Sequence, residues 1–191
     1  MPGGLCDMRV IAGKARHLIL RTPKGSHVRP TTDRIKETLF NMLQMRIQGS
    51  RFLDLFAGSG GIGIEALSRG ADFCVFCDTD REALACIRSN LATTGLAERS
   101  AVLAGDYSRT LKRLRNKEPF DIIFMDPPYG NDLEIKALKM VASGHILEPD
   151  GLVILETPAD QDIRNDLPDG MHITKEKVYK TNKHIFIEQG E

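Results

Sequence analysis

From Arg51 onward, short apolar runs alternate with amphipathic stretches. Strand-length runs with β-branched content predict strands near 51–56, 73–77, 101–104, 120–125 and 151–155. Helical spacing between them predicts helices near 61–69, 80–93, 107–115 and 132–143. This β-α-β rhythm implies a parallel sheet covered on both faces. Two final runs, Met171–Tyr179 and His184–Glu188, have only a short link between them and should pair antiparallel. Upstream, Met8–Ala12 and His17–Arg21 flank Gly13-Lys14-Ala15-Arg16 and read as a β-hairpin with a basic, exposed turn. Thr31-Thr32-Asp33 offers N-cap chemistry for a helix carrying Ile35, Leu39, Met42 and Leu43, ending near Gln48-Gly49. Residues 1–7 carry no pattern and read as a flexible start. The expected fold is α/β, a seven-stranded, mostly parallel sheet with its last strand antiparallel, preceded by a hairpin and helix. Residues 1–50 form a basic N-terminal extension and 51–191 the main domain.

Composition narrows the class. With 41% hydrophobic and 27% charged residues the chain is an ordinary globular protein, and no apolar stretch reaches membrane-spanning length. Cys6, Cys74, Cys77 and Cys86 make no disulfide framework. Cys74-x-x-Cys77 lies inside an apolar run without a second pair, so buried strand cysteines are expected, with no metal and a cytoplasmic location. The net charge of zero hides an asymmetry: Arg9 to Arg51 holds ten Lys/Arg against Asp33 and Glu37, a balance of +8. Such an arm suits a polyanion. Lys14, Arg16, Arg21, Lys24, Arg29 and Arg34 are the candidate phosphate contacts. The five histidines show no metal spacing and read as solvated or structural.

The first strand runs into Ala57-Gly58-Ser59-Gly60-Gly61-Ile62-Gly63. Its Gly58-x-Gly60-x-x-Gly63 matches a dinucleotide fingerprint, and Asp78 stands where a ribose-binding acid belongs. Asp54, inside the strand, would repel a pyrophosphate and favour an ammonium or sulfonium. S-adenosyl-L-methionine carries both cations, a ribose diol for Asp78, and an adenine amine for an acceptor such as Asp106. Helix-cap roles are the structural alternative for these acids, most natural for Asp80 and least for Asp54, which no helix start explains.

Asp126-Pro127-Pro128-Tyr129 closes the fourth strand. Each proline fixes φ and removes a donor, leaving a stiff corner with the Asp126 carboxylate, the Pro127 carbonyl and an aromatic ring. A planar N–H₂ group fits there, as in guanine, adenine or cytosine. A tight turn with Asp126 capping the next helix is the plain alternative.

The glycine loop and this tetrapeptide together resemble class I S-adenosylmethionine-dependent methyltransferases acting on exocyclic amines. Met8-Arg-Val-Ile-Ala-Gly-Lys-Ala, Arg29-Pro-Thr-Thr-Asp-Arg34, Glu37-Thr-Leu-Phe-Asn41, Asp54-Leu-Phe-Ala-Gly-Ser-Gly60, Glu65-Ala-Leu-Ser-Arg-Gly-Ala71 and Asp126-Pro-Pro-Tyr-Gly130 more narrowly resemble the RsmD family. That resemblance implies a Rossmann-like fold and methylation of guanine N2 in small-subunit (16S) ribosomal RNA, within an assembling 30S particle. It implies catalysis by Asp126, Pro127, Pro128 and Tyr129. Donor binding would fall to Asp54, Phe56, Ala57, Gly58, Ser59, Gly60, Asp78 and Asp106, with the Arg29-Pro30-Thr31 segment closing over the donor. Asp78 and Lys180 stand where the family commonly has Glu and Gly. The rival readings are an adenine-N6 methyltransferase on DNA or RNA, a silent RNA-binding or assembly factor, and, more distantly, an NAD oxidoreductase.

Overall fold

The computed structural model describes residues 8–23, 33–130 and 132–190. Lys24 and the Arg29-Pro30-Thr31 segment lie outside them. Helix α1 (Asp33–Met42) and a short α2 (Gln44–Ile47) lead into β1 (Arg51–Asp54), α3 (Gly61–Ser68), β2 (Phe73–Asp78), α4 (Arg81–Thr94) and β3 (Ser100–Ala104). Then come α5 (Tyr107–Leu114), β4 (Phe120–Met125), α6 (Leu133–Gly144), β5 (Leu147–Pro158), β6 (Met171–Val178) and β7 (Asn182–Gln189). The seven strands form one sheet in the order β3-β2-β1-β4-β5-β7-β6. Strands β1 to β5 are parallel, and β7 runs antiparallel to both β5 and β6. Strand order reverses beside β1, so the C-terminal ends of β1 and β4 flank the crevice where open α/β sheets bind ligands.

Three expectations need correction. The single N-terminal helix divides at Leu43 into α1 and α2, although Leu39, Phe40, Leu43 and Ile47 keep one buried stripe across the break. Strand β5 starts at Leu147, ahead of the expected 151; Pro149 and Gly151 disguise it as a turn, and a register shift between Phe120 and Ile122 absorbs the irregularity. The hairpin is present but short, one antiparallel bridge from Arg9 to Ile19 with backbone bonds from Val10 N–H to Leu18, His17 N–H to Val10 and Leu20 N–H to Met8. Its turn exposes Lys14 and Arg16 as expected, while the backbone is fastened to the body. Lys14 N–H donates to the Ser68 carbonyl at 2.9 Å and Ala15 N–H to Ser68 Oγ at 3.0 Å. Gly13 has φ +82°, and a Cβ there would lie 1.9 Å from the Ser68 carbonyl oxygen.

Sheet parity sorts the side chains. Phe52, Phe76, Phe124, Ile154 and Phe186 face a layer built from α1, α3, α4 and the arm residues Val10, Ala15 and Leu20. Leu53, Val75, Ile123, Val153 and Ile185 face α5 and α6. With period two, Asp54, Asp78, Asp126, Glu156 and His184 share the first face. Two buried polar residues tie the arm to that layer. Glu65 accepts from the N–H groups of Ile11 and Ala12, while the Asn90 side chain bonds both the N–H and the carbonyl of Arg21. Both side chains satisfy backbone groups that a full hairpin ladder would otherwise pair.

Candidate active site

Asp54 ends β1, and the chain turns through Leu55–Gly60 into α3. Gly60 holds φ +82° as the residue before the helix, a conformation that favours glycine. Asp54 is 1% exposed, and its Oδ2 accepts the Gly63 N–H at 2.9 Å. The expectation that no helix start explains Asp54 is therefore corrected: it caps the first turn of α3 from the neighbouring strand. Burial lifts its pKa to about 7, with the Gly63 N–H pulling down and Asp78 pushing up. Asp78 accepts the Gly58 N–H at 2.7 Å and the Asp80 N–H at 2.8 Å, so it braces the loop as well as facing the cavity. Asp80 caps α4 through the Ala83 N–H at 2.7 Å, as its helix-cap reading had it. Asp106 caps α5 through the Ser108 N–H at 2.8 Å, and hydrogen bonding from Ser108 holds its carboxyl below the ordinary range.

A cavity of about 350 Å³ opens along these strand ends, a size suited to a small-molecule ligand. Asp54, Phe56, Ala57, Gly58, Ser59, Asp78 and Asp106 line it, and so do Asp126 and Pro128. Asp54 and Asp126 thus face one continuous space. Gly60 and Pro127 are not among its walls: Gly60 serves the turn, and Pro127 is buried behind the corner. Tyr129 stands outside the cavity, 55% exposed, with its phenol pushed up to about 12 by burial and then by Asp126 and Glu156. Phe56 and Tyr107 line the far side with ring centroids 5.6 Å apart.

Asp126 differs from the other acids. Burial, the Glu156 carboxylate and Asp54 all push in one direction, raising its pKa to about 8. Glu156 stands one residue past the Met125–Leu155 pair of β4 and β5, beside Asp126. It is 8% exposed and hydrogen-bonded to the Asn182 amide and to His184 Nε2 at 3.0 Å. His184 is fully buried between Glu156 and the Tyr179 hydroxyl, which lies 3.3 Å from its Nδ1.

Among the wall or near-wall residues that escaped the sequence reading are Met8, Lys36, Tyr107 and Glu156. Met8 Sδ accepts from Ser59 Oγ at 3.2 Å, bringing the arm to the cavity mouth. Lys36 lines the cavity at 1% exposure. Its signal was present, since it falls on the apolar stripe of Leu39, Phe40 and Leu43. Glu156 was marked by parity, as a charged residue on the core face of an apolar strand. Lys14, Arg16, Arg21 and Arg34 are exposed; Lys24 and Arg29 lie outside the described residues. Cys74 and Cys77 are buried, free strand cysteines as expected. Among the described residues, no metal-binding group is present and no helix is long and apolar enough to cross a membrane.

A dinucleotide's pyrophosphate would meet Asp54 and Asp78 across this loop, whereas a compact cationic ligand would be attracted. Comparison with known proteins agrees with that chemistry. The family model described as "conserved hypothetical protein 95" matches residues 8–188. The chain belongs to that family. Relatives include the ribosomal RNA small subunit methyltransferase D of Haemophilus influenzae, 36% identical with 93% of this chain and 91% of that protein covered. The Escherichia coli protein of the same name is 33% identical, with 92% and 86% covered. Among solved structures, the Escherichia coli protein yhhF superposes with a TM-score of 0.84 at 31% identity, covering 96% of this chain and 98% of that one. A hypothetical protein of Thermus thermophilus gives 0.80 at 33% identity, with 94% and 98% covered. The family's fold is the class I methyltransferase fold, and the chain is a methyltransferase.

Proposed function

We propose that the protein methylates the exocyclic N2 amine of a guanine in small-subunit ribosomal RNA, using S-adenosyl-L-methionine, in the cytoplasm and on an assembling 30S particle. The observation that carries this reading is one cavity whose wall holds Asp54, Asp78 and Asp106 together with Asp126 and Pro128. Relatives that bear the name ribosomal RNA small subunit methyltransferase D support the choice of substrate. When bound, S-adenosyl-L-methionine supplies an electrophilic methyl group on a sulfonium.

The chain's own residues do the rest. Asp54 would attract the donor's positive charge, Asp78 would take the ribose hydroxyls and Asp106 the adenine amine, a reading supported by their shared cavity with Phe56 and Tyr107. Burial, Glu156 and Asp54 hold Asp126 protonated in the empty protein, and a positive charge against Asp54 would offset part of this and favour the ionised form. Asp126 would accept an N–H of the target amine, turning its lone pair toward the methyl. Asp126 would take the proton that the amine gives up as it is methylated. Tyr129, exposed at the mouth, stacks on the base. Lys14, Arg16, Arg21 and Arg34, together with Lys24 and Arg29, hold phosphates while the base is turned out of its stack.

The test is methyl transfer from labelled donor to small-subunit RNA from cells lacking the protein, followed by nucleoside analysis. N2-methylguanosine is expected. Label in N6-methyladenosine would move the activity to the adenine rival, and no label on RNA or on partly assembled subunits would leave the assembly-factor reading.

A further inference from the structure

Lys36 is out of keeping with the cavity it lines. The described wall residues include four carboxylates, Asp54, Asp78, Asp106 and Asp126, and Lys36 is the one cation among them. Burial pushes its ammonium toward neutrality, opposed first by Glu65. An ammonium has three donors. One goes to the Arg9 carbonyl and another toward Glu65 Oε2 at 3.5 Å. Glu65 hardly depends on it, because that carboxylate already accepts from Ile11 N–H, Ala12 N–H and Arg69 Nε. The pair with Glu65 and the bond to the Arg9 carbonyl give this charge a structural use, and its place in the cavity wall leaves room for a second one.

The donor inferred above bears an ammonium and a sulfonium, which the acids suit, but also a carboxylate, which every one of those acids repels. The geometry points to Lys36 as the partner of that carboxylate, holding the amino-acid end of the methyl donor through a charge-assisted hydrogen bond. This assignment rests on the proposed cofactor and adds the subsite that fixes its orientation. Contacts along the wall give the position. Lys36 holds the carbonyl of Arg9, the neighbouring Met8 accepts from Ser59, and Met8 packs on Gly61 at the start of α3. The ammonium is thereby fixed on the α3 side of the cavity, while Asp106 and Tyr107 belong to the α5 side. A ligand with its adenine by α5 and its carboxylate by Lys36 has one way round.

Binding, measured by calorimetry without RNA, tests this. The probes are S-adenosylhomocysteine and its decarboxylated analogue. Wild-type protein should bind S-adenosylhomocysteine about tenfold to a hundredfold more tightly than the analogue. In Lys36→Met that preference should disappear through loss of affinity for S-adenosylhomocysteine, with the analogue bound as before. Lys36→Gln, which keeps a donor for the Arg9 carbonyl without the charge, should behave in the same way if the methionine variant does not fold. Equal wild-type affinity for the two probes, or a parallel loss of both in the variants, would overturn the assignment. Binding of neither S-adenosylmethionine nor S-adenosylhomocysteine to wild-type protein would instead remove the cofactor reading, and the Lys36 assignment with it.

Discussion

The glycine-loop and proline-corner stretches of the cavity wall satisfy their acids differently. At the glycine loop, Asp54, Asp78 and Asp106 each accept a backbone N–H from the loop or helix they brace. At the proline corner, Asp126 is pressed upward by burial, by Glu156 and by Asp54 together. The first arrangement builds a rigid seat whose carboxylates already serve the fold. The second leaves a carboxylate with excess proton affinity beside space for a substrate. Preorganised acceptors suit a ligand held throughout turnover, and a raised, under-served acceptor suits one that must receive a proton during it.

Substitution at each end should separate these roles most widely. Asp126→Asn is expected to lower methyl transfer about a hundredfold to a thousandfold while S-adenosylhomocysteine affinity is retained. Asp54→Asn is expected to act the other way, weakening donor binding by about tenfold or more as a charged partner is lost. Rates and binding constants for both variants check this, and a matched loss of both quantities at both sites would erase the distinction.

Burial at both places gives a shared pH signature. The carboxyls of Asp54 and Asp126 are raised to about 7 and about 8, so each holds a proton in the folded protein that it has lost in the unfolded chain near neutrality. Their contribution to the empty protein's stability is full below the unfolded value and is lost as pH rises through about 7 to about 8. S-adenosylmethionine, a cation, should bind more tightly over that window as the acids ionise. Melting curves with and without the donor are therefore expected to diverge as pH rises, and Asp54→Asn should reduce the divergence.

Much of this was legible in the sequence, for reasons that also mark where legibility ended. Strands β1 to β4 were readable because uninterrupted apolar runs with glycine or proline at their ends have few alternatives. Asp126 was readable because two prolines fix its backbone. The start of β5 was hidden by Pro149 and Gly151, whose local signal the ladder with β4 overrides. Asp54 was placed at the cavity, but its bond to the Gly63 N–H depends on how α3 leans against β1, which no local pattern encodes. Lys36 and Glu156 were each betrayed by periodicity, yet only the assembled face makes them neighbours of the cavity and of Asp126. The docking of the arm was hidden because its partners, Glu65, Ser68 and Asn90, are far away in the chain.

Smaller effects should follow from that docking. Gly13→Ala must displace the turn from Ser68 and is expected to cost about 1–3 kcal/mol in denaturant titrations. Lys14→Ala and Arg16→Ala should each reduce the salt dependence of RNA binding by a slope of about 1, since both side chains are exposed and their backbone stays anchored. An unchanged slope in the double variant would take the arm out of RNA contact.

The most direct measurement is calorimetric titration with a bisubstrate analogue, guanine joined through N2 by a short tether to the sulfur position of the donor. It should bind at least about tenfold more tightly than S-adenosylhomocysteine, with the gain removed by Asp126→Ala. An analogue bound no better than S-adenosylhomocysteine, or equally well by the variant, would mean that donor and amine do not meet in this cavity.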